Sequence, residues 1–235
     1  MVAWADCGSR AYSAVYRLMS DPQSACAWRP EVGFIVEGQC EVAAYPTLLA
    51  ALLGYPVGHF PIALAGGCDR LLVDLHGLLD DLCRTRMPKH VIITVDSMDF
   101  NNHPQFGDCK VLRGHLAEQS RAWLSARSTY SNGITLPDSV VPVVQHRAFE
   151  TWIIADPVGL RAVPELIHLD ESVAWTDVDT EIQNPVKWLR DRIKGAVNTK
   201  NPLVLKRLAA ALNPTRMREV SPSYDKFCRE IQRTL

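Results

Sequence analysis

Alternating apolar and polar stretches divide this chain into short buried strands and longer helices. Residues 33–36, 91–95 and 140–144 are continuous apolar runs rich in β-branched residues, a pattern typical of buried strands. Pro142 interrupts the third run. Because proline has no backbone N–H to donate to a neighbouring strand, this run predicts an edge strand or a bulge.

Between these runs, leucine and alanine recur at helical spacing. Residues 42–53, 69–86 and 110–125 are predicted helices, and a fourth is expected to begin near Glu150. Pro46 lies inside the first of these segments. It removes one hydrogen-bond donor, so we expect the helix either to kink there or to begin near this residue.

Strands that alternate with helices predict an α/β fold, with a mainly parallel sheet flanked by helices in a Rossmann-like arrangement. After residue 156 the pattern becomes helical and rich in loops, with Asn184-Pro185 and Ser221-Pro222 as expected helix starts. We therefore divide the chain into three parts. These are an N-terminal extension of unclear role at 1–30, an α/β core at 31–160, and a helical C-terminal part at 161–235 that packs on the core.

Composition narrows the function classes. The formal net charge of the 235 residues is -1, which argues against a protein that coats nucleic acid by charge alone. Seven scattered cysteines without a Cys-x-x-Cys pair argue against structural zinc and favour reduced thiols in the cytoplasm. No apolar run approaches the roughly 20 residues of a membrane helix. Residues 1–30 lack a signal-peptide pattern. The sequence contains no Walker-type phosphate-binding loop, so we expect any ATPase activity to come from a partner.

Acidic residues follow two of the predicted strands. Glu37 comes directly after the first strand and Asp96 after the second, and Glu41 and Asp99 follow shortly afterwards. Because the carboxyl ends of parallel strands form the ligand edge of such sheets, we expect these side chains to gather there. Gathered carboxylates favour Mg²⁺ or Mn²⁺, ions suited to phosphodiester chemistry. A lone acid after a strand often caps the next helix instead, and for Asp96 that alternative stays open.

Residues 35–49, Ile-Val-Glu-Gly-Gln-Cys-Glu-Val-Ala-Ala-Tyr-Pro-Thr-Leu-Leu, resemble the opening motif of small Toprim-like proteins encoded beside AAA-type ATPases. These are related to the Toprim domain of OLD-family (overcoming lysogenization defect) nucleases. Residues 91–100 resemble the aspartate strand of the Toprim domain, 143–152 the segment in which a Glu precedes an aromatic-rich helix, and 221–231 the closing helix. The resemblance implies a Toprim-like fold from about residue 33 to the C-terminus.

The resemblance also implies a set of site residues. Those that would hold metal are Glu37, Glu41, Asp96, Asp99 and Glu150. Glu37 would also be catalytic, and Lys200 would assist the transferred phosphate. Two features depart from the family pattern: Asp96 and Asp99 stand in Asp-Ser-Met-Asp rather than Asp-x-Asp, and Lys200 follows Asn-Thr rather than Tyr-Ser. As alternatives to these roles, Glu150 would cap its helix and Lys200 would be a solvated surface lysine.

Three further residues are candidates for contact with substrate. His146 and Arg147 lie near Glu150, where a histidine can transfer protons, and Arg113 follows the aspartate strand and could line a phosphate path. The alternatives are that His146 is a hydrogen-bonded structural residue and that Arg113 lies on a solvated helix face. The tryptophans are expected to pack in the core or at a partner interface.

Together these features predict a Mg²⁺- or Mn²⁺-dependent nuclease that cuts DNA or RNA. The resemblance implies the effector of an anti-phage system acting with an AAA/ABC-type ATPase, and a homo-oligomer stays open. The cysteine pattern and the absence of long apolar runs predict a protein in the cytoplasm and away from membranes. The alternative is a non-catalytic Toprim-fold module that docks on the ATPase or senses a phage component, which the near-neutral charge and the displaced Asp99 motivate. A primase-like transferase is a third reading, but the chain lacks room for the accessory domains it would need.

Overall fold

A computed structural model describes residues 30–54, 60–98, 105–129, 133–195 and 200–235. The expectation for Asp99 lies outside these residues, and so does that for the N-terminal extension apart from Pro30. Within the described ranges, no helix is long and apolar enough to cross a membrane, and none of the five cysteines is in a disulfide.

Four parallel strands form the central sheet in the order β2-β1-β3-β4. They are β1 (Val32–Val36), β2 (Ile62–Leu64), β3 (His90–Asp96) and β4 (Ser139–Gln145). The predicted α/β class is therefore confirmed. The expected edge position of the Pro142 strand is also confirmed, since β4 is the last strand and Pro142 lies opposite Ile93. The sequence patterns missed β2, which is only three residues long.

Helices surround the sheet. They are α1 (Gln39–Leu53), α2 (Cys68–Thr85), α3 (Cys109–Thr129), α4 (Phe149–Ile154), α5 (Pro157–Arg161), α6 (Val178–Glu181), α7 (Pro185–Arg190), α8 (Pro202–Ala209), α9 (Pro214–Val220) and α10 (Pro222–Arg233). The expected starts at Asn184 and Ser221 are confirmed, because each side chain accepts a backbone N–H of the first turn of its helix.

One of the two alternatives for Pro46, a helix start near this residue, is wrong. Helix α1 does not begin at Pro46 but at Gln39, and it continues through the proline to Leu53. Its buried face includes Tyr45 and Leu48, which lie on either side of the proline, and the side chain of each is only 1% exposed. Burial of this face offsets the single hydrogen bond that Pro46 cannot make.

Two hydrophobic clusters cover the two faces of the sheet. One contains Phe34 and Val36 of β1 together with α1 and most of the C-terminal helices, and the other contains Ile35 with α2 and α3. This alternation follows from the two-residue period of a strand. The first cluster joins residues from both sides of position 160, so the helical C-terminal part packs directly on the core, while the boundary itself stays a prediction.

Aromatic rings fill the centre of the first cluster. The Trp152 ring is fully buried and contacts Tyr45, Tyr224 and Phe227, with ring centroids 4.8 to 6.3 Å apart. Trp123 is buried in the second cluster, where its Nε1 donates to Asp80 at 2.7 Å. These two tryptophans therefore pack in the core, as expected.

Candidate functional site

The carboxyl ends of β1 and β3 bring two acidic residues together. Glu37 follows β1 and Asp96 ends β3, and the two strands are direct neighbours. The backbone N–H of Asp96 donates to Glu37 Oε2 at 3.2 Å. Glu37 is 8% exposed, so its carboxylate is held inside the edge of the sheet rather than in bulk water.

Glu41 adds a second buried carboxylate in the first turn of α1. Its carboxylate accepts the backbone N–H groups of Glu41 itself and of Gly38, the residue that precedes the helix. This is the reach-back half of a capping box. Burial and then the nearby Glu150 carboxylate nevertheless raise the pKa of Glu41 to about 7, against the lowering effect of these hydrogen bonds and Lys200.

Glu150 approaches from the other side of the site. It lies in the first turn of α4, whose N-cap is Ala148, and it is 5% exposed. Its charge acts on both Glu41 and Cys40. Two buried carboxylates from different helices therefore share one low-dielectric region, an arrangement that disfavours ionisation of Glu41.

Cys40 shows that the acids and the predicted lysine share one neighbourhood. Burial, then Glu150, Glu41 and Asp96, raise the pKa of the Cys40 thiol to about 12, while Lys200 opposes this rise. Lys200 itself is exposed. The sequence-predicted Glu41, Asp96, Glu150 and Lys200 thus lie within electrostatic reach of one thiol.

A chain of buried hydrogen bonds lies beneath these carboxylates. Gln145 Nε2 donates to the Tyr45 hydroxyl at 3.0 Å, and that hydroxyl donates to Thr94 Oγ1 at 2.9 Å. Gln145 lies opposite Asp96 in the sheet register. Gln145 Oε1 is buried and accepts no hydrogen bond from the described residues, so one acceptor remains available beside the acids.

The oxygen donors suit a magnesium or manganese ion held by few protein ligands. No group of three or more His, Cys, Asp or Glu in the described ranges is placed to hold one ion. The adjacent pair Glu37 and Asp96 is compatible with Mg²⁺, which commonly binds through one or two carboxylates and completes its shell with water and phosphate oxygens. An all-protein cage of the kind that Ca²⁺ or structural zinc prefers does not fit these residues.

The three predicted substrate contacts lie near β4 rather than between the acids. His146 and Arg147 form the turn after β4, where Arg147 has a left-handed φ of 64° and its guanidinium donates to the Gln183 carbonyl at 3.4 Å. Arg113 is exposed on α3 and lines a groove with Lys110 and Pro142.

Sequence reasoning missed the buried hydrogen bonds among Gln145, Tyr45 and Thr94 beneath the carboxylates. It also missed the Cys40 thiol that lies near them. Gln145 could have been found by the signal that identified Glu37 and Asp96, because it also ends a predicted strand. Tyr45, Thr94 and Cys40 carried no comparable signal, since each lies within an element whose direction becomes known only after folding.

Comparison with known proteins identifies a family but no characterised relative. No curated protein and no solved structure matches the chain. One family of domains, described as a domain of unknown function (DUF4276), matches residues 36–232, which include every described site residue named above. This match covers most of the chain, and the protein therefore belongs to the DUF4276 family.

Proposed function

We propose that this protein is a Mg²⁺- or Mn²⁺-dependent nuclease of the Toprim type, related to OLD-family nucleases, that cleaves phosphodiester bonds in DNA or RNA. The observation that carries the proposal is the convergence of buried carboxylates at the carboxyl edge of a parallel sheet, where the Asp96 N–H donates to Glu37 at 3.2 Å. Ligands of such sheets bind at this edge.

In this proposal Glu37 and Asp96 hold the ion, with Asp99 as a further ligand. A bound divalent cation supplies charge neutralisation at the phosphoryl group and a lowered pKa for coordinated water. Glu41, with its pKa raised to about 7, exchanges a proton near neutral pH and is suited to proton transfer. Lys200, exposed beside these acids, contacts the phosphate that the reaction releases or transfers.

The substrate strand would run past the groove beside β4. Arg113 and Lys110 line this groove, and burial and then the Arg113 charge lower the pKa of Lys226 on α10. Cations brought this close together favour a polyanion between them, and phosphates of a nucleic acid provide one. His146 and Arg147 lie at the carboxyl end of the same strand.

The ATPase partner and the defence role come to the proposal from the family resemblance, and the cytoplasmic location comes from the scattered cysteines. The cleavage activity can be tested by itself. Purified protein, with and without a candidate AAA-type ATPase partner, is incubated with DNA and RNA in Mn²⁺ or Mg²⁺, and Glu37→Gln and Asp96→Asn are compared with Glu31→Gln. Glu31 is an exposed acid paired with Lys89, so it serves as the matched control.

We expect metal-dependent cleavage that falls at least about 100-fold in Glu37→Gln and Asp96→Asn, because loss of metal-held electrostatic stabilisation costs rates of this order. Glu31→Gln should cleave normally. Equal cleavage by all three variants, or no cleavage with any metal, substrate or partner, would contradict the proposal.

A non-catalytic binding module is the second candidate, and one observation favours it. The described ranges contain no three-ligand group. This alternative predicts that Mn²⁺ leaves the thermal midpoint unchanged. A rise of several degrees that disappears in Asp96→Asn would exclude it, because an ion that binds the folded state must stabilise that state.

A further inference from the structure

A cleft of about 600 Å³ lies at the end of α1, away from the acidic site. Ala51 and Leu52, in the last turn of this helix, form one wall. Glu41 lies in the first turn of the same helix, and a rise of about 1.5 Å per residue separates Leu52 from it by roughly 16 Å. The cleft is therefore separate from the acids, and its volume is within the range of small-molecule sites, about 300 to 1,000 Å³.

Positive charge lines this cleft. Arg216 and Arg218 of α9 are the only charged residues that the described part of the chain contributes to the lining. Arg216 Nε and Nη2 donate to the fully buried Asp156 carboxylate, at 2.7 and 2.8 Å. Arg218 Nε donates to Asp225 at 2.8 Å. Neither carboxylate lines the cleft, so both guanidinium groups are fixed by partners that lie outside it.

The side chains that line the cleft offer donors rather than acceptors. Arg216 Nη1 and Arg218 Nη2 make no hydrogen bond with the described residues. Asn213 and Gln232 also belong to the lining, and each uses its amide oxygen within the fold. Asn213 Oδ1 accepts the Thr215 N–H at 2.9 Å, and Gln232 Oε1 accepts Arg218 Nη1 at 3.5 Å. The side-chain NH₂ groups of both amides remain available, which favours a ligand rich in acceptor oxygens.

Nearby negative groups do not cancel the positive lining. The buried carboxylate described above balances Arg216, but Asp225 is shared between Arg218 and Arg229, at 2.8 and 2.9 Å, which leaves one positive charge in excess. Glu219 acts on Arg216, but it is exposed to water, which screens its charge. The C-terminal end of α1 contributes about half a negative charge. The cleft therefore favours an anion.

We propose that this cleft binds a small organic phosphate, of the size of a sugar phosphate or a mononucleotide. The phosphate oxygens accept hydrogen bonds from the available Arg216 and Arg218 nitrogens. A phosphate has more terminal oxygens than a carboxylate and so matches more of the donors. A free phosphate ion would leave most of the cleft to water, whereas the body of an organic phosphate packs on the apolar lining, where Leu212 and Pro214 join the end of α1. This binding does not depend on nuclease activity.

Isothermal titration calorimetry of the full chain in EDTA tests this site. The probes are ribose 5-phosphate, adenosine 5′-monophosphate, inorganic phosphate, succinate, ribose and adenosine. EDTA removes any divalent ion through which the acidic site could hold a phosphate. We expect at least one of the organic phosphates to bind at least about tenfold more tightly than inorganic phosphate, because its body buries apolar surface. Ribose and adenosine, which lack the phosphate, should not bind.

Two variants change the lining and a third serves as the matched control. Arg218→Gln removes one positive charge from the lining, and Gln232→Glu places a carboxylate in it at an exposed position of α10. Each should weaken binding of the organic phosphate at least about tenfold, through the loss of a charge-assisted hydrogen bond or through repulsion. Arg229→Gln breaks a pair with the same Asp225 carboxylate, but Arg229 does not line the cleft. Its affinity should stay within about twofold of the wild type.

Circular dichroism and urea unfolding establish that the variants are folded. The absence of binding by every phosphate probe would overturn the proposal, and succinate that binds as tightly as the organic phosphates would overturn the choice of phosphate. Inorganic phosphate that binds as tightly as both organic phosphates would overturn the organic class. Unchanged affinity in both lining variants, or an equal loss in Arg229→Gln, would show that the phosphate binds elsewhere on the protein.

Discussion

Two buried acids in this protein, Asp156 and Glu41, have opposite electrostatic environments. Asp156 precedes α5 and is fully buried, and Glu41 in α1 is 4% exposed. Burial by itself raises the pKa of both carboxyls. The final pKa nevertheless lies below the ordinary value for Asp156 and at about 7 for Glu41.

The difference lies in the partners that each carboxylate finds. Asp156 accepts two hydrogen bonds from the Arg216 guanidinium, at 2.7 and 2.8 Å, and the backbone N–H groups of Gly159 and Asn213, at 3.1 and 2.8 Å. These donors outweigh the effect of burial. Glu41 instead faces the Glu150 carboxylate, and its own backbone hydrogen bonds do not compensate.

This contrast separates a structural acid from a candidate functional one. The Asp156 charge is neutralised within the fold, and it ties α5 to the start of α9 through Asn213 and Arg216. Around Glu41, the backbone hydrogen bonds and Lys200 do not outweigh burial and the Glu150 charge, so the carboxyl keeps its proton up to about pH 7. An excess of buried negative charge at a ligand-binding edge is expected of a functional site rather than of a packing element.

The largest effect is expected when the structural pair is broken. Asp156→Asn should lower the free energy of unfolding by about 3 kcal/mol at pH 7, because it removes one partner of a hydrogen-bonded ion pair whose carboxylate is fully buried. Urea unfolding followed by circular dichroism measures this change.

The control for this substitution is Asp191→Asn, which removes an exposed pair with Lys187. It should leave stability unchanged. Because the folded-state pKa of Asp156 lies below its ordinary value of 3.8, the stabilisation is present above that pH and is lost as pH falls below it. Equal losses in the two variants would remove the contrast with Glu41.

The second effect should have the opposite sign. Glu41 has a folded-state pKa of about 7 against an ordinary value of 4.5, so the wild type should lose stability as pH rises through this window. Glu41→Gln should remove that loss and stabilise the protein by about 2 kcal/mol at pH 8, with little change at pH 4. Urea unfolding in EDTA at both pH values measures the difference.

The same experiment with Glu31→Gln should show no such dependence on pH, because Glu31 is exposed beside Lys89. Addition of Mn²⁺ should stabilise the wild type more than Glu41→Gln. A Glu41→Gln protein that is less stable than the wild type at pH 8 would mean that the Gly38 hydrogen bond dominates, and Glu41 would then be a helix cap like the acids at other helix starts.

The smallest effect concerns the buried hydrogen bonds from Gln145 through Tyr45 to Thr94, which lie beneath the carboxylates. Tyr45→Phe should cost about 1.5 kcal/mol, because it leaves buried Gln145 Nε2 without an acceptor. Thermal and urea unfolding measure the loss. Tyr224→Phe is the matched control, since the Tyr224 hydroxyl is equally buried but is placed, among the described residues, beside only the weakly hydrogen-bonding Cys228 thiol. A larger loss in Tyr224→Phe would contradict the importance of the Tyr45 hydroxyl.

Much of the fold could be predicted from local pattern. The strands ending near Glu37, Asp96 and Gln145 are continuous β-branched runs, and buried parallel strands produce that pattern wherever they occur. Strand β2 was not predicted because its three residues, between Pro61 and Ala65, are too few to show any periodicity. A start of α1 near Pro46, one of the two alternatives that the local helix rule allowed, is wrong because tertiary burial outweighed that rule.

The candidate site was predictable only where acids follow strands. Glu37 and Asp96 are neighbours because adjacent parallel strands end together, a relation that sequence order already implies. The proximity of Glu150 and Lys200 to Glu41 depends on how α4 and the C-terminal part fold back. The family resemblance suggested these two residues, but no spacing in the sequence could.

By itself, the sequence determined the α/β class and the two strand-end acids, and it limited β4 to an edge strand or a bulge, because strand burial and strand direction are read from neighbouring residues. Only the tertiary structure decided which acids became structural and which became candidates for function. The sequence alone does not distinguish the roles of Asp156 and Glu41, because the groups that set their ionisation, Arg216 and Glu150, are distant in sequence.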